Sequence, residues 1–107
     1  SGGENISSIE VEGVLYEHPA VLEAAVIAVP HEKWGETPHA YVVLREGKTA
    51  TEQELIDFSR AHLAHFKAIT GVTFVEELPK TASGKILKVQ LRNEYWSSVG
   101  KTGKLVN

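Results

Sequence analysis

Residues Val21 to Val29 read Val-Leu-Glu-Ala-Ala-Val-Ile-Ala-Val, an apolar run set between Pro19 and Pro30 and broken only by Glu23. A half-exposed strand would alternate apolar with polar positions, and this run does not. It reads as a strand over Glu23–Val29 buried on both faces, with Pro30 expected to stop it. A strand of that kind has to be covered above and below. His39–Leu44 supplies a second strand, ended by Arg45-Glu46-Gly47-Lys48, and Val72–Glu76 a third, with Gly71 expected to break the chain before it. Residues His31 to Pro38 fall between the first two strands as a loop of eight, with Trp34 expected to lie over the core edge.

Two capping boxes mark helix starts. Ser7 with Glu10, flanked by Ile6 and Val11 as a staple, opens the first helix, whose stripe is Val11, Val14 and Leu15; His18-Pro19 ends it. Thr51 with Glu54 opens what should be the longest helix, with Leu55, Ile56, Phe58, His62, Leu63 and Phe66 on its inner side. A short last helix is expected over Val89–Trp96, anchored by Leu91, Tyr95 and Trp96. From Ser97 the Gly, Lys, Ser and Thr content predicts a disordered tail, so the domain is expected to span residues 1–96. The fold class is α+β: a small sheet of about three main strands covered by helices. One core is what 107 residues can support.

Composition excludes several kinds of function. There is no cysteine, hence no disulfide and no thiolate metal site. His62 and His65 are three apart, but no further ligand lies near them in sequence, so no metal site is assigned. No apolar run is long enough to span a membrane. Charge is uneven: residues 1–79 hold five Lys/Arg and thirteen Asp/Glu, net −8, while residues 80–107 hold six Lys/Arg and Glu94 alone, net +5. Only Tyr95 and Trp96 accompany that basic end, which argues against nucleic-acid binding.

The chemistry concentrates in Pro79-Lys80-Thr81-Ala82-Ser83-Gly84-Lys85-Ile86-Leu87-Lys88. Pro79 favours an extended approach, and Gly84 allows a positive φ, so Lys85 should stand at the tip of a tight turn. An ordinary solvated turn is the usual fate of such a stretch; a lysine presented to an anion is the sharper reading. A Walker A loop is excluded, since Pro79 stands where its first glycine must be. No self-sufficient catalytic arrangement appears, so the domain looks like part of a site.

Gly2-Gly3-Glu4-Asn5-Ile6-Ser7-Ser8-Ile9-Glu10-Val11-Glu12 resembles the segment opening the small C-terminal domain of adenylate-forming acyl-CoA synthetases and ligases. Pro19-Ala20-Val21, Glu23-Ala24-Ala25-Val26 and Trp34-Gly35-Glu36 fit that family's middle. Leu78-Pro79-Lys80-Thr81-Ala82-Ser83-Gly84-Lys85-Ile86 fits its closing motif. The resemblance runs through residues 1–96 and is strongest to plant acyl-activating enzymes. It implies that Lys85 is the catalytic lysine of acyl-AMP formation, presented by the turn at Gly84. It also implies that Gly2, Gly3, Glu4 and Asn5 lie on the pantetheine side of a CoA channel after the domain rotates.

The implied small molecules are ATP/AMP, CoA and a small carboxylic acid, with Mg held mainly by a large N-terminal domain of the same polypeptide. This chain would then be an excised or partial domain, inactive alone. The implied setting is intracellular, cytoplasmic or peroxisomal; no peroxisomal tripeptide ends the chain, though a truncation would hide one. One departure is that Ile69 and Thr70 follow Lys67 where members often carry Pro and a basic residue, which weighs against a basic CoA contact from that corner. The alternatives are an interaction module that keeps the fold without the chemistry, or a related adenylating enzyme with another acceptor.

Overall fold

A computed structural model describes residues 6–33, 35–64 and 67–102. In chain order it contains α1 (Ile6–Tyr16), β1 (Val21–His31), β2 (Gly35–Leu44), α2 (Glu52–His62), β3 (Gly71–Phe74) and α3 (Lys88–Thr102). The three strands form one mixed sheet in the order β1-β2-β3, antiparallel between β1 and β2 and parallel between β2 and β3.

Both faces of the sheet are covered, as the unbroken run in β1 requires. Ala24 and Val26 point to one side with Ala40 and Val42, where Val11 and Leu15 of α1 and Leu55 and Ile56 of α2 pack on them. Ala25, Ile27 and Val29 point to the other side with Tyr41 and Val43, under Leu78 and under Leu91 of α3. Full burial of a side chain such as Leu91 is worth about 1.5–3 kcal/mol, so each layer contributes to stability in its own right.

The two outer strands are both tied to helices at an edge. Glu12 of α1 accepts the N–H of Val26 at 2.8 Å, and Glu52 of α2 accepts that of Val72 at 2.8 Å. A carboxylate on an edge N–H satisfies it and removes a template for further strand pairing.

Several expectations need correction. β1 does not stop at Pro30 but runs through it to His31, and β2 begins at Gly35, so the expected eight-residue loop is a hairpin with His31 opposite Gly35. Val26 directs its N–H away from β2, and by two-residue alternation Pro30 faces the same free edge, where its missing N–H breaks nothing. Pro38 sits inside β2 just before the β3 ladder starts at His39. Trp34 lies outside the described residues.

α1 begins at Ile6, which places Ser7 inside the helix rather than at its cap, and Glu10 pairs instead with Lys67 at 3.0 Å. The Thr51 box forms as read, with Thr51 Oγ1 accepting the Glu54 N–H at 3.0 Å and Glu54 accepting that of Thr51 at 2.8 Å. Yet α2 has 11 residues and α3 has 15, so α3 is the longest helix, not α2. It starts at Lys88 and passes the expected end at Trp96, so residues 97–102 belong to a helix.

Leu91 and Tyr95 face the sheet, but Trp96 is half exposed because one further residue turns it about 100° round the helix. β3 includes Gly71 and ends at Phe74. A β-carbon on Gly71 would lie 2.7 Å from the His39 ring, so glycine here makes room rather than breaking the strand.

Candidate functional site

The basic stretch forms a small hairpin standing on the second layer. Lys80 bridges Ile86 in antiparallel fashion, and the Leu87 N–H donates to the Pro79 carbonyl at 2.9 Å. Within it the Thr81 N–H donates to the Lys85 carbonyl at 2.8 Å, and the Gly84 N–H to the Thr81 carbonyl at 2.9 Å. Gly84 has φ +92°, so the expected left-handed turn is present and needs glycine. Leu78, which is buried, and Ile86 root the two legs in the core, while residues 81–85 are all exposed. A groove of about 490 Å³ lies between the first leg and α3, with Leu78, Pro79, Lys80, Gln90 and Glu94 among its walls.

Three lysines share this region and have three different environments. Lys80 lies 2.7 Å from Glu23 of β1, both partly exposed. Lys88, the first residue of α3, lies 2.6 Å from Glu12, and both side chains are largely buried. That same Glu12 oxygen takes the Val26 N–H, so one carboxylate joins α1, β1 and the start of α3. Lys85 is exposed, and among the described residues no carboxylate pairs with it. The two paired lysines fix the legs of the hairpin to the body, and the lysine between them is presented to solvent.

In the layer on which the hairpin stands lies a polar cluster that sequence reasoning missed. His39 Nε2 is 2.8 Å from Thr73 Oγ1, and its ring meets those of Tyr41 and Tyr95 edge-on at 5.5 and 5.1 Å. Burial pushes the His39 imidazole below its ordinary range, against a smaller upward pull from Glu52. Burial, with Glu94 and Tyr95 beside it, pushes the Tyr41 phenol up. The alternation of β2 could have placed His39 inside, but its ring partners are remote in sequence.

Gly2, Gly3, Glu4 and Asn5 lie outside the described residues, as does His65. Among the described residues no three His, Asp or Glu side chains converge as a metal site, and no helix is long and apolar enough to cross a membrane. Ile69, at the corner of the sequence departure, is wholly buried in the first core layer. What this surface offers chemically is one exposed positive charge on a hydrogen-bonded turn.

Residues 10–85 match the family of AMP-binding enzyme C-terminal domains, and the chain belongs to it. The match ends on Lys85 itself. Over 102 residues the chain is 55% identical to the probable acyl-activating enzyme 22 of Arabidopsis thaliana, covering 86% of this chain and 19% of that protein. It is 52% identical over 104 residues to the peroxisomal benzoate–CoA ligase of the same plant, covering 87% of this chain and 18% of the ligase. Among solved structures, a Mycobacterium tuberculosis fatty acyl CoA synthetase superposes with a TM-score of 0.79 at 41% identity, over 92% of this chain and 19% of that one. The chain thus spans about a fifth of the length of the relatives it matches.

Proposed function

We propose that this is the mobile C-terminal domain of an ATP-dependent acid–thiol ligase that activates a small carboxylic acid as acyl-AMP and passes it to CoA. In the first step the carboxylate oxygen attacks the α-phosphorus of ATP and pyrophosphate leaves. In the second the CoA sulfur attacks the acyl carbon and AMP leaves, its phosphate keeping the bonding pair. The observation that carries this reading is Lys85: exposed, held on a hydrogen-bonded turn, and without a carboxylate partner among the described residues, between two lysines that have one.

An anion approaching a polyanion is repelled, and a fixed ammonium offsets that repulsion most where charge builds in the transition state. Lysine suits the task as a compact charge on a flexible stem, and the hairpin, with Gly84 at its turn, suits it as a mount. Rotation of the domain then withdraws Lys85 and brings Gly2, Gly3, Glu4 and Asn5 against the pantetheine arm, where glycines let the backbone come close. The rest of the site, with Mg and the acyl pocket, belongs to an N-terminal domain of the same polypeptide, in the cytoplasm or the peroxisome. By itself the present chain releases no pyrophosphate.

The test is Lys85→Ala in the full-length ligase. Pyrophosphate release should fall by on the order of a hundredfold or more, by analogy with charge-stabilising donors worth roughly 3–4 kcal/mol. Thioester formation from supplied acyl-AMP and CoA should persist. Lys80→Ala is the charge control. An equal loss there would reduce Lys85 to one member of a diffuse basic patch, and no loss in either would favour an interaction module that has kept the fold without the chemistry.

A further inference from the structure

With no carboxylate among the described residues to steer it, the Lys85 ammonium is aimed by its own backbone, and that backbone is held mainly by one residue. The Thr81 N–H donates to the Lys85 carbonyl, and the Thr81 carbonyl accepts the Gly84 N–H. Any side chain at position 81 would leave those two bonds in place. Two more need the hydroxyl: the Lys85 N–H donates to Thr81 Oγ1 at 3.1 Å, and Ser83 Oγ lies 3.0 Å from the same oxygen. A hydroxyl oxygen has two lone pairs and one proton, so it can serve both neighbours at once. It therefore closes the turn across its open side, from the first residue of the loop to the lysine.

We infer that Thr81 is the positioning residue of Lys85, its hydroxyl fixing the Cα–Cβ direction along which the ammonium is delivered. The role rests on the adenylation reading of Lys85 given above. Thr81 is exposed, and without the hydroxyl the Lys85 N–H turns to water, so the bond has little to do with global stability. Its worth lies in holding a charge to the fraction of an ångström that a transition state demands, and losing such placement lowers rates steeply.

The experiment compares Thr81→Val and Thr81→Ser in the full-length ligase, each alone and combined with Lys85→Ala. Thr81→Val, nearly isosteric, should lower the rate constant of pyrophosphate release by on the order of tenfold, with the KM for ATP and the melting temperature unchanged. Thioester formation from acyl-AMP should be untouched, and Thr81→Ser should restore the first step. Amide hydrogen exchange at Lys85 should quicken in Thr81→Val alone of the two. In the Lys85→Ala background Thr81→Val should cost nothing further, because its effect passes through the lysine. A loss that multiplies with that of Lys85→Ala would overturn the inference, for the hydroxyl would then act on the substrate itself. If Lys85→Ala cripples adenylation while Thr81→Val is silent, the positioning role alone falls. If Lys85→Ala leaves adenylation intact, the reading of Lys85 falls and takes this role with it.

Discussion

The sheet body and the hairpin of residues 79–87 are built on opposite principles, and Lys88 and Lys85 stand three residues apart on either side of their border. In the body four successive residues of β1, Ala24 to Ile27, are buried, and apolar layers press on both faces. In the hairpin residues 81–85 are exposed and the shape comes from a few hydrogen bonds and one left-handed glycine. Lys88 is drawn into the body and neutralised by Glu12; Lys85 has no such partner among the described residues. Stability and presented charge are thus kept in separate places, so each can be lost without the other.

The comparison is broken most forcefully from the body. Leu55, wholly buried beneath α2, should cost roughly 2–5 kcal/mol of unfolding free energy as Leu55→Ala, measured by denaturant titration. An effect on acyl-AMP formation, corrected for folded fraction, would mean that the core also tunes the chemistry. Next come the two anchoring lysines. Lys88→Ala removes the cation from a largely buried pair and should cost about 2–4 kcal/mol, the Val26 N–H still covering part of Glu12. Lys80→Ala opens a partly exposed pair and should cost less than about 1 kcal/mol. Equal losses would mean that burial does not distinguish the two legs.

An effect smaller than that of Lys88→Ala is expected in the hairpin itself. A β-carbon on Gly84 meets nothing within 4 Å, so Gly84→Ala suffers only the backbone penalty of its φ of +92°, about 1–2 kcal/mol. Acyl-AMP formation should fall by more than that loss of stability can explain, and Gly84→Asn, which tolerates positive φ better, should recover part of it. A stability loss with normal adenylation would show that the turn geometry does not matter to the lysine.

Features carried by local chemistry were legible in the sequence. The Thr51 box, the doubly buried strand, the positive φ at Gly84 and the exposed place of Lys85 all follow from neighbouring residues, and all four are present. What depended on position in the sheet was not. Pro30 read as a stop and Pro38 as the end of a loop, yet each lies within a strand and is tolerated because the strand edge it faces has no ladder bond to lose there. The pairing of Lys88 with Glu12 spans most of the chain, so nothing local marked Lys88 as different from its neighbours. Ser59 is wholly buried, donating to the Ile56 carbonyl and accepting the Ile69 N–H, a link to a residue ten positions on that nothing local marks. The part of the candidate site on Gly2–Asn5 lies outside the described residues.

The smallest expected effect concerns pH, and it probes where the two regions join. His39 sits under α3 against Tyr95, with Tyr41, Thr73 and the carboxylate of Glu52 around it. Burial lowers its pKa in the folded chain, so over the interval below the ordinary value of 6.5 the unfolded chain binds the proton more readily. Its contribution is therefore whole above about pH 6.5 and is lost as pH falls through the lower, folded pKa. Glu52 opposes burial and so reduces the effect. The unfolding free energy should decline between pH 7 and pH 5, and His39→Gln, which can still bond Thr73, should flatten that slope while leaving the value at pH 8 nearly unchanged. The Lys85 hairpin rests on the same layer, so adenylation in the full-length ligase should weaken in step with that decline if α3 loosens as a whole. A slope identical in wild type and His39→Gln would show that protonation of other groups governs acid sensitivity. An adenylation rate indifferent to the decline would show that the hairpin holds its shape by its own hydrogen bonds, independently of the helix that follows it.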